Sequence, residues 1–150
     1  ELEITAALTE GLTVRASGSA LDPKYIDYDD RAGHVYNGKT MQRTPKAKYN
    51  VGFDYAFDVA GWSKGATARV NYTHQGKIYW NPDNVSFEPG YGILDASLRL
   101  QRPGARWSLT VWGKNLDDTL YSQLGLPFLG DIVEVWGPPR TYGVDYTYNF

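Results

Sequence analysis

Apolar and polar residues alternate one for one along most of this chain. Ala47, Tyr49, Val51, Phe53, Tyr55 and Phe57 interleave with Lys48, Asn50, Gly52, Asp54, Ala56 and Asp58. Tyr142, Val144, Tyr146, Tyr148 and Phe150 interleave in the same way with Gly143, Asp145, Thr147 and Asn149. A period of two puts each set on its own face of an extended chain, which marks a β-strand with one apolar and one polar side. The pattern places Leu2, Ile4, Ala6 and Leu8 on one face of a first strand. In a second, Leu12, Val14, Ala16 and Gly18 oppose Thr13, Arg15, Ser17 and Ser19; in a fourth, Ala66, Ala68, Val70 and Tyr72 oppose Thr67, Arg69, Asn71 and Thr73. Leu94, Ala96, Leu98 and Leu100 then oppose Asp95, Ser97 and Arg99, and Trp107, Leu109 and Val111 alternate with Ser108, Thr110 and Trp112. Seven strands and no helix are expected from these runs.

The polar faces carry Arg and Asp, which a dry core tolerates only when they are paired. They suit a watery lumen. The connections are short and long in strict turn, short near residues 9–11, 59–65 and 102–105 and long over residues 22–45, 81–90 and 116–138. Tight turns at one end and long loops at the other predict an all-β fold, an antiparallel up-and-down transmembrane β-barrel segment with its C-terminus periplasmic. The aromatic final strand fits that expectation, because in a barrel its apolar face meets lipid and its edge is paired. Seven strands fall below the smallest common barrel of about eight. The chain also opens at Glu1 with neither initiator Met nor signal peptide. It is therefore expected to be a processed or excised piece of a larger barrel, with residues 1–8 and 144–150 as the edges that further strands pair.

Composition mainly excludes. A balance of 15 basic and 17 acidic residues gives no reason to expect nucleic acid. No apolar run approaches the roughly 20 residues of a spanning helix. The mean hydropathy of −0.46 is compatible with a barrel, whose alternating strands average to a hydrophilic value. The 12 Tyr and 5 Trp are the residue types that collect where hydrocarbon meets water. Without cysteine there is neither a disulfide nor a thiolate metal site.

The stretch from Trp107 to Tyr121, with Asn115, Leu116, Asp117 and Asp118 closing a strand, resembles the C-terminal β-barrel portion of a TonB-dependent outer-membrane receptor. Residues Pro139 to Gly143 leading to a final strand that ends in Phe150, Gln42 to Pro45 ahead of the third strand, and Tyr91 to Leu98 are similar to the same family in their order and spacing. The resemblance implies a barrel of about 22 strands filled by a plug domain. It implies active import of a scarce nutrient, such as a ferric siderophore, cobalamin or a carbohydrate, energised through TonB. Plug and remaining strands would lie outside this chain, which spans part of the barrel over residues 1–150. Tyr142, Val144, Tyr146, Tyr148 and Phe150 would face lipid, and the terminal strand would carry the signal read by the barrel assembly machinery. Partners would thus be outer-membrane lipid, the other strands and plug, TonB and that machinery.

Substrate contact is expected in the outer loops, where Tyr79, Trp80, Phe128 and Trp136, with Phe87 and Leu129, offer faces for rings or sugars, beside Asp83, Asp131 and Glu134. The plainer alternative is that they pack loops over the barrel mouth. Asn115, Asp117 and Asp118 read as turn chemistry rather than metal ligands. Pro138 and Pro139 set the start of the last strand, and Arg140 is expected to pair with an inward carboxylate such as Asp95. His34 and His74 read as solvated loop and lumen residues. No nucleophile and base set, cofactor loop or zinc pattern occurs, so neither an enzyme nor a cofactor is expected. Two other classes stay open on the residues alone: a soluble carbohydrate-binding β-sandwich and a structural or passive outer-membrane barrel.

Overall fold

The computed structural model describes residues 1–59 and 61–150, which hold eleven strands in the order β1 (Leu2–Ala7), β2 (Leu12–Ala20), β3 (Ala47–Val59), β4 (Trp62–Gln75), β5 (Ile78–Tyr79), β6 (Phe87–Glu88), β7 (Tyr91–Leu100), β8 (Trp107–Lys114), β9 (Ser122–Phe128), β10 (Asp131–Trp136) and β11 (Thr141–Tyr148). Seven of them form one antiparallel meander, β1-β2-β3-β4-β7-β8-β11, and correspond to the seven expected from alternation. The remaining four make two small hairpins inside the long connections, β5 with β6 and β9 with β10. All three short connections lie at one end of the sheet and all three long ones at the other.

Register turns the sequence pattern into cross-strand rows. Leu12, Tyr55, Ala68, Leu98, Val111 and Val144 stand side by side across six strands. One residue along, the row Thr13, Asp54, Arg69, Ser97, Trp112 and Gly143 lies on the opposite face. Among the described residues nothing packs over the apolar face: Val144 is 64% and Tyr146 66% exposed, and the buried apolar residues are Ala66, Ile78 and Trp80. Such a surface is stable in hydrocarbon and a liability in water. A sandwich would place a second sheet over it; here the seven long strands share a single sheet.

Aromatic rings gather at both ends of this face. Near the short connections Trp62 meets Trp107 edge-on at 6.1 Å, and Tyr148 meets Phe150 at 5.3 Å. Near the long connections Tyr49 stacks on His74 at 4.8 Å, and Tyr142 stands beside Gly113. His74 pairs with Tyr49 on the apolar side, so it is not the lumen residue expected; its place in the alternation, two beyond Tyr72, governs over its polarity.

Other expectations need adjustment. The predicted connection over residues 59–65 is shorter, because β4 begins at Trp62; Ala60 of that connection lies outside the described residues. Asp58 Oδ1 accepts the Lys64 N–H at 2.7 Å there and holds Lys64 at a φ of 48°. The last strand ends at Tyr148, with Asn149 N–H still donating to Arg106 O at 2.7 Å and Phe150 fully exposed.

With the protein reconstituted in lipid vesicles, Leu98→Arg on the apolar face is expected to lower unfolding stability by about 2–4 kcal/mol, as for a cation near mid-bilayer. Thr13→Arg, on the polar face beside Asp54, is expected to change it by no more than about 0.5 kcal/mol. Denaturant titration of the two variants checks this.

Candidate functional site

The polar face and the three long connections, residues 21–46, 76–90 and 115–140, are where groups able to bind or select gather. On the polar face the Asp54 carboxylate lies between two guanidinium groups, bonded to Arg15 and to Arg69 Nε at 3.0 Å. Asn50 donates to Asn71 Oδ1 at 2.9 Å and to Thr73 Oγ1 at 2.8 Å. Trp112 is the aromatic member of this face on β8, set among Ser108, Thr110 and Lys114. A Cβ built on Gly143 would fall 2.2 Å from the Trp112 ring, so the indole lies flat on β11 because the facing residue is glycine.

The first long connection holds an aromatic stack. Tyr25 and Tyr28 stack at 4.7 Å, Tyr28 and Tyr36 lie 5.6 Å apart, and His34 follows at 6.3 Å from Tyr36. Asp30 organises the tip, accepting the Ala32 N–H at 2.8 Å and pairing with His34 Nδ1 at 2.7 Å. Desolvation pushes the Asp30 carboxyl up, but the N–H donors of Ala32 and His34 and the His34 ring outweigh it and hold it at about 2.

The three connections form one linked layer. Asn84, at a φ of 63°, imitates a strand against Thr40: its Oδ1 accepts the Thr40 N–H and its Nδ2 donates to Thr40 O, both at 2.8 Å. Arg43 N–H donates to Tyr79 O at 2.8 Å beside it. Between the second and third connections, Trp80 packs onto Gly125, where a Cβ would fall 2.5 Å from the ring. Tyr91 stacks on Tyr121 at 4.6 Å. Glu88, 6% exposed, and Ser122, fully buried, meet in the same seam. Burial pushes the Glu88 carboxyl above its ordinary value; the Ser122 N–H opposes this and Glu134 adds to it.

Asn115 ties the layer to the sheet. Its N–H donates to Asp95 Oδ1 at 2.9 Å, its Nδ2 to Thr119 O at 2.9 Å and Pro138 O at 3.1 Å, and its Oδ1 accepts the Thr119 N–H at 2.9 Å. Asn115 and Asp118 adopt φ values of 50° and 56°, which Asn and Asp tolerate better than most residues. Arg140 pairs with Asp118 at 3.2 Å, not with Asp95, whose carboxylate serves the Asn115 N–H.

The four loop residues expected to touch substrate do not converge. Trp80 is 2% exposed and fills the seam, so its indole has no free face. Tyr79 lies edge-on to Phe87 at 6.1 Å, with Lys77 Nζ 4.2 Å from the Phe87 ring. Phe128 and Trp136 are exposed at opposite ends of the β9–β10 hairpin, about 20 Å apart at the rise of an extended strand. Asp83 and Asp131 cap the nearby N–H groups of Val85 and Ile132. Sequence reasoning passed over the Tyr25, Tyr28 and Tyr36 stack, Asn84, Glu88 and Trp112; the signal for Trp112 was an aromatic residue at a polar position of the alternation.

A single antiparallel wall with one bare apolar face, one polar face and an elaborated outer layer is the architecture of a transmembrane β-barrel segment. The family model "TonB dependent receptor-like, beta-barrel" matches residues 1–116, and the chain belongs to that family. Its fold is similar to the ferric yersiniabactin uptake receptor FyuA from Yersinia pestis, with a TM-score of 0.84 and 20% identity over 99% of this chain and 22% of that one. It is similar to the siderophore receptor PiuA from Acinetobacter baumannii, at 0.77 and 19% over 96% of this chain and 20% of that one. It is also similar to BauA, the ferric preacinetobactin receptor from Acinetobacter baumannii, at 0.74 and 23% over 99% of this chain and 21% of that one. The chain thus spans about a fifth of the length of these receptors. No curated protein is similar to it at a significant level.

Two outcomes are expected in the outer layer. Because the carboxyl of Glu88 is raised above its ordinary 4.5, its contribution to docking of the two hairpins is full below that value and is lost as pH rises through the raised one. Amide exchange of Gly137, whose N–H donates to Tyr121 O at 2.9 Å in the same seam, is expected to quicken as pH rises through that window, after correction for intrinsic rates, and Glu88→Gln to remove the dependence. Asn115→Ala, which strands several buried polar groups, is expected to cost about 1–3 kcal/mol locally and to raise exchange at Thr119.

Proposed function

We propose that the protein is an outer-membrane active-transport receptor of a Gram-negative bacterium, importing a ferric chelate with energy supplied through TonB. The observation that carries this is the family match over residues 1–116, joined to a wall whose polar face and outer layer are built from aromatic and charged side chains. The iron-chelate choice, over cobalamin or a carbohydrate, draws support from FyuA, PiuA and BauA, all described as ferric or siderophore receptors. In this reading the chain is the C-terminal part of the barrel, the plug and remaining strands belong to the same receptor, and the C-terminus is periplasmic. Tyr142, Val144, Tyr146 and Tyr148 face lipid. The terminal strand is the signal for the barrel assembly machinery.

Cells that depend on the full-length receptor are expected to accumulate a radioiron-labelled chelate, and to stop when TonB is removed or the proton gradient is collapsed. Uptake that persists without TonB would make the protein a passive barrel, and no accumulation of any ferric chelate would redirect the search to cobalamin and carbohydrates. Removing Phe150 is expected to slow insertion severalfold, read as the delay before the heat-modifiable folded form appears; an unchanged delay would remove the assembly role.

A further inference from the structure

We infer that Trp112 is a stacking platform that makes the receptor select chelates bearing a flat aromatic ring with an anionic oxygen over chelates without a ring. This rests on the ferric-chelate reading above and names the feature of the chelate that the wall would recognise.

Trp112 occupies the polar row between Ser97 and Gly143, in the third pair from the outer end of the β8–β11 ladder. An indole used only to anchor the wall would be expected on the lipid face near an interface, where Trp107 stands. Gly143 lets this one lie flat, since any Cβ there would collide with the ring. Beside it is a hollow of about 330 Å³ lined by Arg69, Asn71, Asp95, Ser97, Trp112 and Lys114. That volume is at the lower end for small-molecule sites and suits one substituted ring rather than a whole chelate.

The charges around the hollow set the sign of the substituent. Arg69 shares Asp54 with Arg15, and Asp95 accepts the Asn115 N–H at 2.9 Å. Lys114 has no carboxylate partner among the described residues, and its Nζ lies 5.6 Å from the Trp112 ring centroid. A ring entering from the outer end can stack on the indole and bring an oxyanion to Lys114.

The test uses the full-length receptor purified in detergent, with a ferric tricatecholate as the ring-bearing probe and ferric citrate or a linear ferric trihydroxamate as the ring-free one. Heat-modifiable migration verifies folding of each variant. Trp112→Ala is expected to weaken tricatecholate binding by roughly tenfold, the size of one lost ring stack, and to leave ring-free binding within about twofold. Trp112→Phe is expected to restore most of the loss, and Gly143→Val, which lifts the ring off β11, to reproduce it with Trp112 still present. Equal weakening of both probes would overturn the inference and make Trp112 a packing residue against whatever fills the lumen. Unchanged tricatecholate binding would overturn it too. A wild-type receptor that binds ring-free chelates alone refutes the platform and leaves the ferric-chelate reading intact, whereas one that binds no ferric chelate refutes both.

Discussion

Backbone hydrogen bonding in a medium without water is the constraint on which the rest of this structure depends. Within hydrocarbon each N–H and C=O must find a partner in the protein, and the ladder from β1 through β11 supplies those partners strand by strand. The ladder fixes register, and register fixes which side chains meet lipid. A slip of one residue would carry Arg15, Asp54 and Arg69 together into the bilayer and turn Val14, Phe53 and Val70 toward water. The shared carboxylate of Asp54 reinforces the correct pairing, because its two partners come from the strands on either side.

Beyond the hydrocarbon the constraint relaxes and a different chemistry holds the chain. The outer layer has only short ladders, so side chains stand in for strands: Asn84 against Thr40, Asn115 against Thr119 and Pro138. Aromatic rings supply the packing, and glycines supply the room for it. Gly125 beneath Trp80 and Gly143 beneath Trp112 are two cases of one device, a missing Cβ that lets an indole lie flat on a neighbouring strand. The same device serves packing in the first case, where the ring is enclosed, and leaves a ring beside an open hollow in the second.

The seven long strands were legible because alternation reports the lipid and water faces directly, and the parity of the connections reported which end carries the loops. The small hairpins were not. Two-residue strands such as Ile78–Tyr79 are too short to show a period, and Gly125 with Pro127 makes β9 look like loop, since both residues weaken a strand reading. His74 and Arg140 depart from expectation for another reason: position in the strand or turn outweighs residue type. The period already put His74 with Tyr72, and the nearest carboxylate to Arg140 was a matter of turn geometry at Asp118. The candidate site was the least legible part, because contact between loops far apart in sequence, such as Glu88 with Ser122, leaves no trace in any local pattern.

Asn115 shows how the two regimes are joined. Its backbone N–H is held by Asp95 on the polar face of the wall, while its side chain closes the third connection through Thr119 and Pro138. The residue before it is Lys114, the cation over Trp112. Leu116 N–H returns to Leu94 O at 2.8 Å, so the turn is fastened to β7 at Asn115 and again at the residue after it. Because Asn115 is 3% exposed and its amide is fully engaged, the turn has little freedom to shift without breaking several hydrogen bonds together. Displacement of the β9–β10 hairpin would therefore load the strand end that carries Lys114. The outer layer and the polar wall are thus joined at this point through the hydrogen bonds of one buried residue.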